Sequence, residues 1–428
     1  MTTLSTRPVA APEISAGAGM GRPWDPPGPP SYGPRAWLAK RALQHLLGTL
    51  PVTVRLSTGE VYGGGGPAIE IIDPASFFAR LGASPMIGLG ESYMAGEWRS
   101  APGTDLADAL TPFAERLTDL VPAAFYRFRH AVLPRGLNPE NTRHGARRNI
   151  ERHYDLSNEM FAAFLDRSLS YSSALFDTLT PPPTTADLEA AQLRKVDAIL
   201  DAAAVGPGSR VLEIGTGWGT LAIRAALRGA HVTTITISNE QAALAQQRVE
   251  AAAVSDRVEI ALRDYRDQTG QFDAVVSVEM IEAVGEKYWP TYFTAIDSLL
   301  APGGRAAIQA ILLDHRRYLA TRDTYTWIHK YIFPGGLLPS VQAVEEVVDR
   351  HTSLGITGIS TMGQHYGHTL RLWREQFLAN WPSVRGAVFD ETFRRMWEFY
   401  LAYCEAGFRA AYLDVAQLTL QRAASDGR

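Results

Sequence analysis

Three glycines spaced two apart, Gly215, Gly217 and Gly219, follow the apolar run Val211-Leu212-Glu213-Ile214 and precede Leu221-Ala222-Ile223-Arg224-Ala225-Ala226. That order predicts a buried strand, a tight turn and a helix. Glycines at such a turn admit positive φ and let a ligand approach with no Cβ in the way. Taken alone they fit a bare strand-to-helix turn equally well. Three further apolar runs also end in polar groups. Thr236-Ile237-Ser238 closes the run from His231 and is followed by Gln241, Asp264-Tyr265-Arg266 follows Val258–Leu262, and Glu279-Met280-Ile281-Glu282 follows Phe272–Val278. Ligands of open α/β sheets lie beyond the carboxyl ends of the strands, so these four ends converge on one crevice. Glu282, just past the fourth run, is a candidate for acid–base chemistry there.

The apolar runs alternate with helical stretches, 188–202 before the first run and 239–252 after the second, an order that predicts a parallel sheet. Pro302-Gly303-Gly304 before Arg305-Ala306-Ala307-Ile308 predicts a turn into a later strand. At 428 residues and 46% hydrophobic content the chain is long enough for two domains with a substantial core. A net charge of −4 and a pI near 6.2 give no global pull toward nucleic acid. The single Cys404 excludes an intramolecular disulfide, and no Cys/His cluster has zinc spacing, so no metal site is expected and a reducing compartment fits. Neither an apolar signal core nor an apolar run of about 18 residues is present, so neither secretion nor a membrane span is expected.

Residues 1–34 are rich in Pro, Gly, Ala and Ser and are expected to form a disordered tail. From 35 to 133 a small α+β domain is expected. It begins with a helix carrying Trp37, Leu38, Leu43, Leu46, Leu47 and Leu50 at helical spacing among Lys40, Arg41 and Gln44. That helix fits either a membrane surface or its own domain's core. A hairpin over 52–62 and a strand over 69–72 follow. Residues 134–146, with Pro134, Gly136, Pro139 and Gly145, read as a linker to a domain over 147–428. Within it, about 312–346 leaves the sheet as an aromatic and apolar insertion, Tyr325-Thr326-Trp327-Ile328-His329-Lys330-Tyr331-Ile332-Phe333, closed by Pro334-Gly335-Gly336. It is expected to be a helical lid over a hydrophobic channel, with plain packing as the alternative.

The Gly-x-Gly-x-Gly spacing, with Glu213 just before it, resembles the first motif of class I S-adenosylmethionine-dependent methyltransferases. The motifs Asn149 to Asn158, Tyr171-Ser172, Thr236 with Gln241, Asp264-Tyr265-Arg266, Ser277 to Glu282 and Tyr366 resemble the cyclopropane-fatty-acyl-phospholipid synthase family from about residue 35 to 425. Within that family, Glu279-Met280-Ile281-Glu282-Ala283-Val284-Gly285 and Ile308-Gln309-Ala310-Ile311 resemble the branch that makes 10-methylene fatty acyl chains, precursors of tuberculostearic acid in actinobacteria. The resemblance implies a Rossmann-like, mostly parallel sheet and S-adenosylmethionine as cofactor. It assigns Tyr171 and Ser172 to the methionine end, Glu213, Gly215 and Gly217 to the turn beneath it, Thr236 and Gln241 to the ribose, and Asp264 and Tyr265 to the adenine. It also implies a bicarbonate ion, for which Glu282, Tyr366 and the carbonyl of Ile311 match. Ser173 stands at the family's Cys position and Gln309 at its His position. Their hydroxyl and amide groups can still hold an anion.

An isolated alkene is a poor nucleophile, so methylating it needs an electrophilic sulfonium, a dry channel that protects the resulting cation, and a base near the new methyl. Loss of a methyl proton closes a cyclopropane directly, or gives an exocyclic methylene after a hydride shift. The expectation is a methyltransferase that converts an oleoyl phospholipid to the 10-methylene product. The alternatives are a cyclopropane synthase on the same lipid and a non-catalytic lipid-binding protein. The expected setting is peripheral to the inner face of the cell membrane, with a separate reductase completing the 10-methyl chain, and a homo-oligomer is compatible with it.

Overall fold

The computed structural model describes residues 22–120, 158–386 and 388–422. The expected linker at 134–146 lies outside them, as does most of the expected tail.

In the N-terminal module, strands β1 (Thr53–Leu56), β2 (Val61–Tyr62), β3 (Ala68–Ile71) and β4 (Trp98–Ser100) form a sheet in the order β2-β1-β3-β4. Helices Pro34–Leu47, Pro74–Ala83 and Pro85–Met94 pack with it, each opening on a proline, whose fixed φ and missing N–H suit a first helical turn. Asp73 caps the second by accepting from the Ser76 amide at 3.1 Å.

The larger sheet holds β5 (Arg210–Ile214), β6 (His231–Thr236), β7 (Val258–Leu262), β8 (Phe272–Val278), β9 (Leu300–Leu313), β10 (Leu354–Thr361) and β11 (Leu413–Arg422), in the order β10-β11-β9-β8-β5-β6-β7. From β7 to β9 neighbours are parallel, and β11 runs antiparallel to both β9 and β10. Its two faces are both covered. Val211, Ala274 and Val276 pack with helices Thr185–Ala202 and Thr220–Leu227 on one side. Leu212, Ile214 and Val275 pack with Trp289–Leu299 and Val341–His351 on the other. Burial on both faces explains why these strands read as continuous apolar runs. The chain leaves β5 toward β6 and β7 on one side and resumes with β8 and β9 on the other. The switch point therefore lies between the carboxyl ends of β5 and β8, where an open sheet leaves a crevice.

The two parts share one apolar core. Val52, Phe78 and Trp98 of the module join Phe161, Trp373 and Trp397 of the larger part in a single cluster. Helix Glu391–Arg409 carries most of that contact, against helices Leu106–Leu120 and Pro85–Met94 of the module. Beside it, buried Arg374 bridges Asp105 of the module and Glu405, both at 2.8 Å.

One expectation is corrected. Residues 22–33, expected to be part of a disordered tail, are anchored to this core by Trp24, which is buried with its ring 5.1 Å from that of Phe393 and its Nε1 donating to Asp390. The chain leaves the sheet after Leu313, and the insertion packs against the module. Trp327 is buried with its indole against Gly90 and its Nε1 donating to Met94 Sδ, while Tyr331 donates to Glu91 Oε1 at 2.8 Å. The apolar residues of the insertion thus have partners within the chain.

Candidate active site

Past β5 the chain turns through Gly215, Gly217 and Gly219 at φ of 99°, 51° and 88°. A Cβ on Gly215 would lie 2.7 Å from Met280 Cγ, so this glycine allows close packing against the end of β8. Around a Cβ on Gly217 there is nothing within 4 Å, although Gly217 lines the cleft. Its open side is space for a ligand. The indole of Trp218 is anchored on Asn158 Oδ1 at 2.9 Å and fixes the turn from behind.

The cleft between the ends of β5, β6, β7 and β8 is lined by Tyr171, Ser172, Glu213, Gly215, Gly217, Thr236, Gln241, Asp264, Tyr265 and Glu279. Most of its polar walls are braced. Thr236 Oγ1 bonds Gln241 Oε1 at 2.9 Å, and Asp264 receives two bonds from the Arg266 guanidinium, at 2.8 and 2.6 Å. Tyr171 bonds Tyr400 between the rings of Phe161 and Trp373. Lys195, fully buried on the helix before β5, donates to Ser172 Oγ at 2.5 Å, and burial lowers its pKa to about 8 against the pull of Glu279, Asp166 and Glu213. Glu213 accepts from Thr234 at 2.6 Å, and burial raises it to about 8 despite that bond and Lys195.

At the inner wall, Glu279 stands at the end of β8 with φ 52°, a left-handed conformation that is uncommon for a side chain of its size. Three donors converge on its carboxylate. Ser173 N and Gln309 Nε2 reach Oε1 at 2.9 and 2.8 Å, and Tyr366 OH reaches Oε2 at 2.8 Å. Gln309 is itself held, its Oε1 accepting from Gln417 at 3.1 Å. Burial raises the Glu279 pKa, and the Ser173 amide, the charge of Lys195 and the bonds from Gln309 and Tyr366 oppose the rise. Glu282, one 3-10 turn further on, accepts from Ile311 N, and its Oε2 is buried without a partner. Burial and then the charge of Glu279 raise it to about 8. The three donors favour the charged form of Glu279 against its burial, whereas Glu282, with one donor and Glu279 beside it, is held in its neutral form below about pH 8.

The structure thus gathers every candidate residue around one end of the sheet. Ser173, Gln309 and Tyr366 meet on Glu279, and Ser173 contributes its amide while its hydroxyl donates to Ala174 O. Ile311 contributes its amide to Glu282. Glu282 does not line the cleft and Glu279 does. Two acids three residues apart at a strand end were the available signal for Glu279. Lys195 and Met280 carried none, since a lysine on a helix and a methionine after a strand are ordinary in a sequence.

Residues 141–418 match the mycolic acid cyclopropane synthetase family. The chain is 52% identical over 394 residues to the tuberculostearic acid methyltransferase UfaA1 of Mycobacterium tuberculosis, covering 90% of this chain and 91% of that one. It is 35% identical over 376 residues to the cyclopropane-fatty-acyl-phospholipid synthase of Escherichia coli strain K12, covering 86% and 92%. Among solved structures it is similar to the mycolic acid cyclopropane synthase CmaA1 of the crystal structure "complexed with SAH and CTAB". There the TM-score is 0.58 and the identity 29%, over 64% of this chain and 98% of that one.

Proposed function

The chain belongs to the mycolic acid cyclopropane synthetase family, and from that premise we propose that it is an S-adenosylmethionine-dependent methyltransferase acting on the cis double bond of an oleoyl phospholipid, forming the 10-methylene acyl chain. The observation that carries this reading is the match to a tuberculostearic acid methyltransferase over nine-tenths of both chains.

The cleft fits the cofactor. The open side of Gly217 leaves room for it, and polar groups from four strand ends surround that room. In this reading the turn at Gly215 and Gly217, with Tyr171 and Ser172, holds the methionine end. Thr236 and Gln241 take the ribose, and Asp264 and Tyr265 the adenine. When bound, S-adenosylmethionine supplies an electrophilic methyl group. The chain's own part is to aim that methyl at the alkene, to exclude water with the aromatic wall around Tyr171, and to hold a base beside the new methyl. Glu282 holds the Ile311 amide of β9.

The lipid is reached from a membrane surface. Among the described residues no helix is long and apolar enough to cross a membrane. On helix Pro34–Leu47, Trp37 and Leu38 are 52% and 57% exposed, with the Arg41 guanidinium over the Trp37 ring. Exposed apolar residues beside basic ones suit an interfacial contact with anionic lipid. Saturation to the 10-methyl chain then falls to a separate reductase.

The reading is tested by following cofactor consumption by purified protein with oleoyl phospholipid vesicles, with fully saturated vesicles and without lipid. Consumption that depends on the unsaturated lipid is expected. Consumption indifferent to unsaturation, or none at all, contradicts it.

A further inference from the structure

We propose that Glu279 is the base of the reaction, taking the proton lost from the transferred methyl carbon directly, with no bicarbonate ion in the site. The inference rests on the reading of the chain as an acyl-chain methyltransferase and adds the identity of its proton acceptor.

Position comes first. Beyond the glycine turn, three carboxyl groups line the cleft: buried Glu213, and half-buried Asp264 and Glu279, of which Asp264 is taken up by the Arg266 guanidinium. Glu213 sits on β5 under the turn and is tied to Thr234. Glu279 stands at the switch point beside Met280, at the head of the wall that also carries Ser173, Gln309 and Tyr366.

The second observation is the backbone. A left-handed φ of 52° is strained at a glutamate and not at a glycine, and such strain persists where the surroundings dictate it. Here three donors from three separate elements dictate it: the 168–176 loop, β9 and helix Gly363–Val384. The conformation turns the carboxylate back over the end of β8 toward those donors.

Third, the donors that would hold a small anion are already engaged. The Ser173 amide, the Gln309 NH₂ group and the Tyr366 hydroxyl all end on Glu279, and the Ile311 amide ends on Glu282. A bicarbonate ion placed among them would take donors from Glu279 and lie beside its charge, which a buried site disfavours. The residues present therefore do not fit the ion that the resemblance implies. The chain's own carboxylate occupies the focus of the same donors.

The step balances with groups in hand. The methyl carbon joins one alkene carbon as its bond to the sulfonium sulfur breaks, the electron pair staying on sulfur as a neutral thioether, and positive charge is left on the other alkene carbon. A methyl C–H bond then breaks, and its electron pair becomes the second bond of an exocyclic methylene after a 1,2-hydride shift, or the closing bond of a ring without one. The proton goes to a Glu279 oxygen, leaving a neutral carboxylic acid that returns it to water before the next turnover. Bonds from Ser173, Gln309 and Tyr366 favour the ionised form of Glu279 against the burial that raises its pKa.

The test compares wild type, Glu279→Gln and Glu279→Gly on oleoyl phospholipid vesicles in carbon-dioxide-depleted buffer, with and without added bicarbonate or formate, while calorimetry follows cofactor binding. Glycine suits φ 52° and empties the focus of the donors. Wild type is expected to turn over at one rate with or without bicarbonate. Glu279→Gln is expected to lose activity by about a hundredfold or more while still binding cofactor. Glu279→Gly is expected to regain at least about tenfold when formate or bicarbonate is added, as an added base takes the vacated place. Glu279→Gln within about threefold of wild type, or a wild type that loses activity in depleted buffer and regains it with bicarbonate, overturns the proposal. A wild type that turns over no unsaturated lipid under any condition overturns the function reading instead.

Discussion

Replacing Tyr366 by Phe removes one hydroxyl and little else. The ring keeps its contacts with Phe408, 4.6 Å between centroids, and with Trp373 at 6.0 Å. The loss is the 2.8 Å bond to Glu279 Oε2. A hydrogen bond to a charged group is worth about 1.5–3 kcal/mol, and about 1.4 kcal/mol corresponds to one pKa unit, so the Glu279 carboxyl should become easier to protonate by about one to two units. Glu279 acts as base only when ionised, so activity falls as pH drops through its pKa. The acid limb of the kcat profile should therefore move up by about one to two pH units in Tyr366→Phe, with kcat on the alkaline side within a few-fold of wild type. Cofactor affinity should hold, since Tyr366 does not line the cofactor cleft. The assay is kcat against pH with saturating lipid vesicles, beside calorimetric titration of the cofactor. An acid limb that stays in place refutes the reasoning, because it detaches the Tyr366 hydroxyl from the ionisation that limits turnover.

Gly217→Val puts a branched side chain at φ 51° into the open side of the cleft, and should weaken cofactor binding by more than about tenfold in a protein that remains folded by circular dichroism. A normal isotherm would remove the turn from the binding site. Arg374→Met leaves buried Glu405 with only the longer Arg409 contact, at 3.3 Å, and should cost about 3 kcal/mol in denaturant unfolding; a change under about 1 kcal/mol would mean that the bridge contributes little. Glu213 and Glu282 both have folded pKa values raised to about 8, so their contribution to stability is complete below their unfolded values and is lost as pH rises toward 8. The ligand-free protein should accordingly unfold more readily at pH 8 than at pH 6, and Glu213→Gln with Glu282→Gln should flatten that slope; an unchanged slope would show that these groups are not buried neutral.

Much of this architecture was legible because its residues obey local rules. Val258–Leu262 and Phe272–Val278 are strands over the residues expected, since β-branched runs bounded by turn residues have few other uses. The glycine turn was legible because three positive φ values in five residues leave little choice but glycine. The centre of the site was harder to read. Spacing marks Glu279 and Glu282 as two acids beyond a strand, but which one enters the cleft depends on a left-handed residue at position 279, and nothing local announces that conformation at a glutamate. Trp24 illustrates a different gap. Proline-rich composition describes residues 22–33 as a tail, yet one tryptophan held by Phe389, Phe393 and Asp390 is enough to dock them. The insertion is apolar for a reason that lies far away in the chain, because Trp327 and Tyr331 answer to Gly90, Glu91 and Met94.

The identity of the product tests the central claim most directly. Adding a methyl cation and losing a proton gives one formula whether a ring closes or a methylene forms, so mass cannot separate them, whereas proton NMR of the recovered acyl chains can. Oleoyl phospholipid incubated with the protein and S-adenosylmethionine should show vinylidene signals of a 10-methylene chain. Upfield cyclopropane signals alone would contradict the account and place the chain with the ring-forming members of its family.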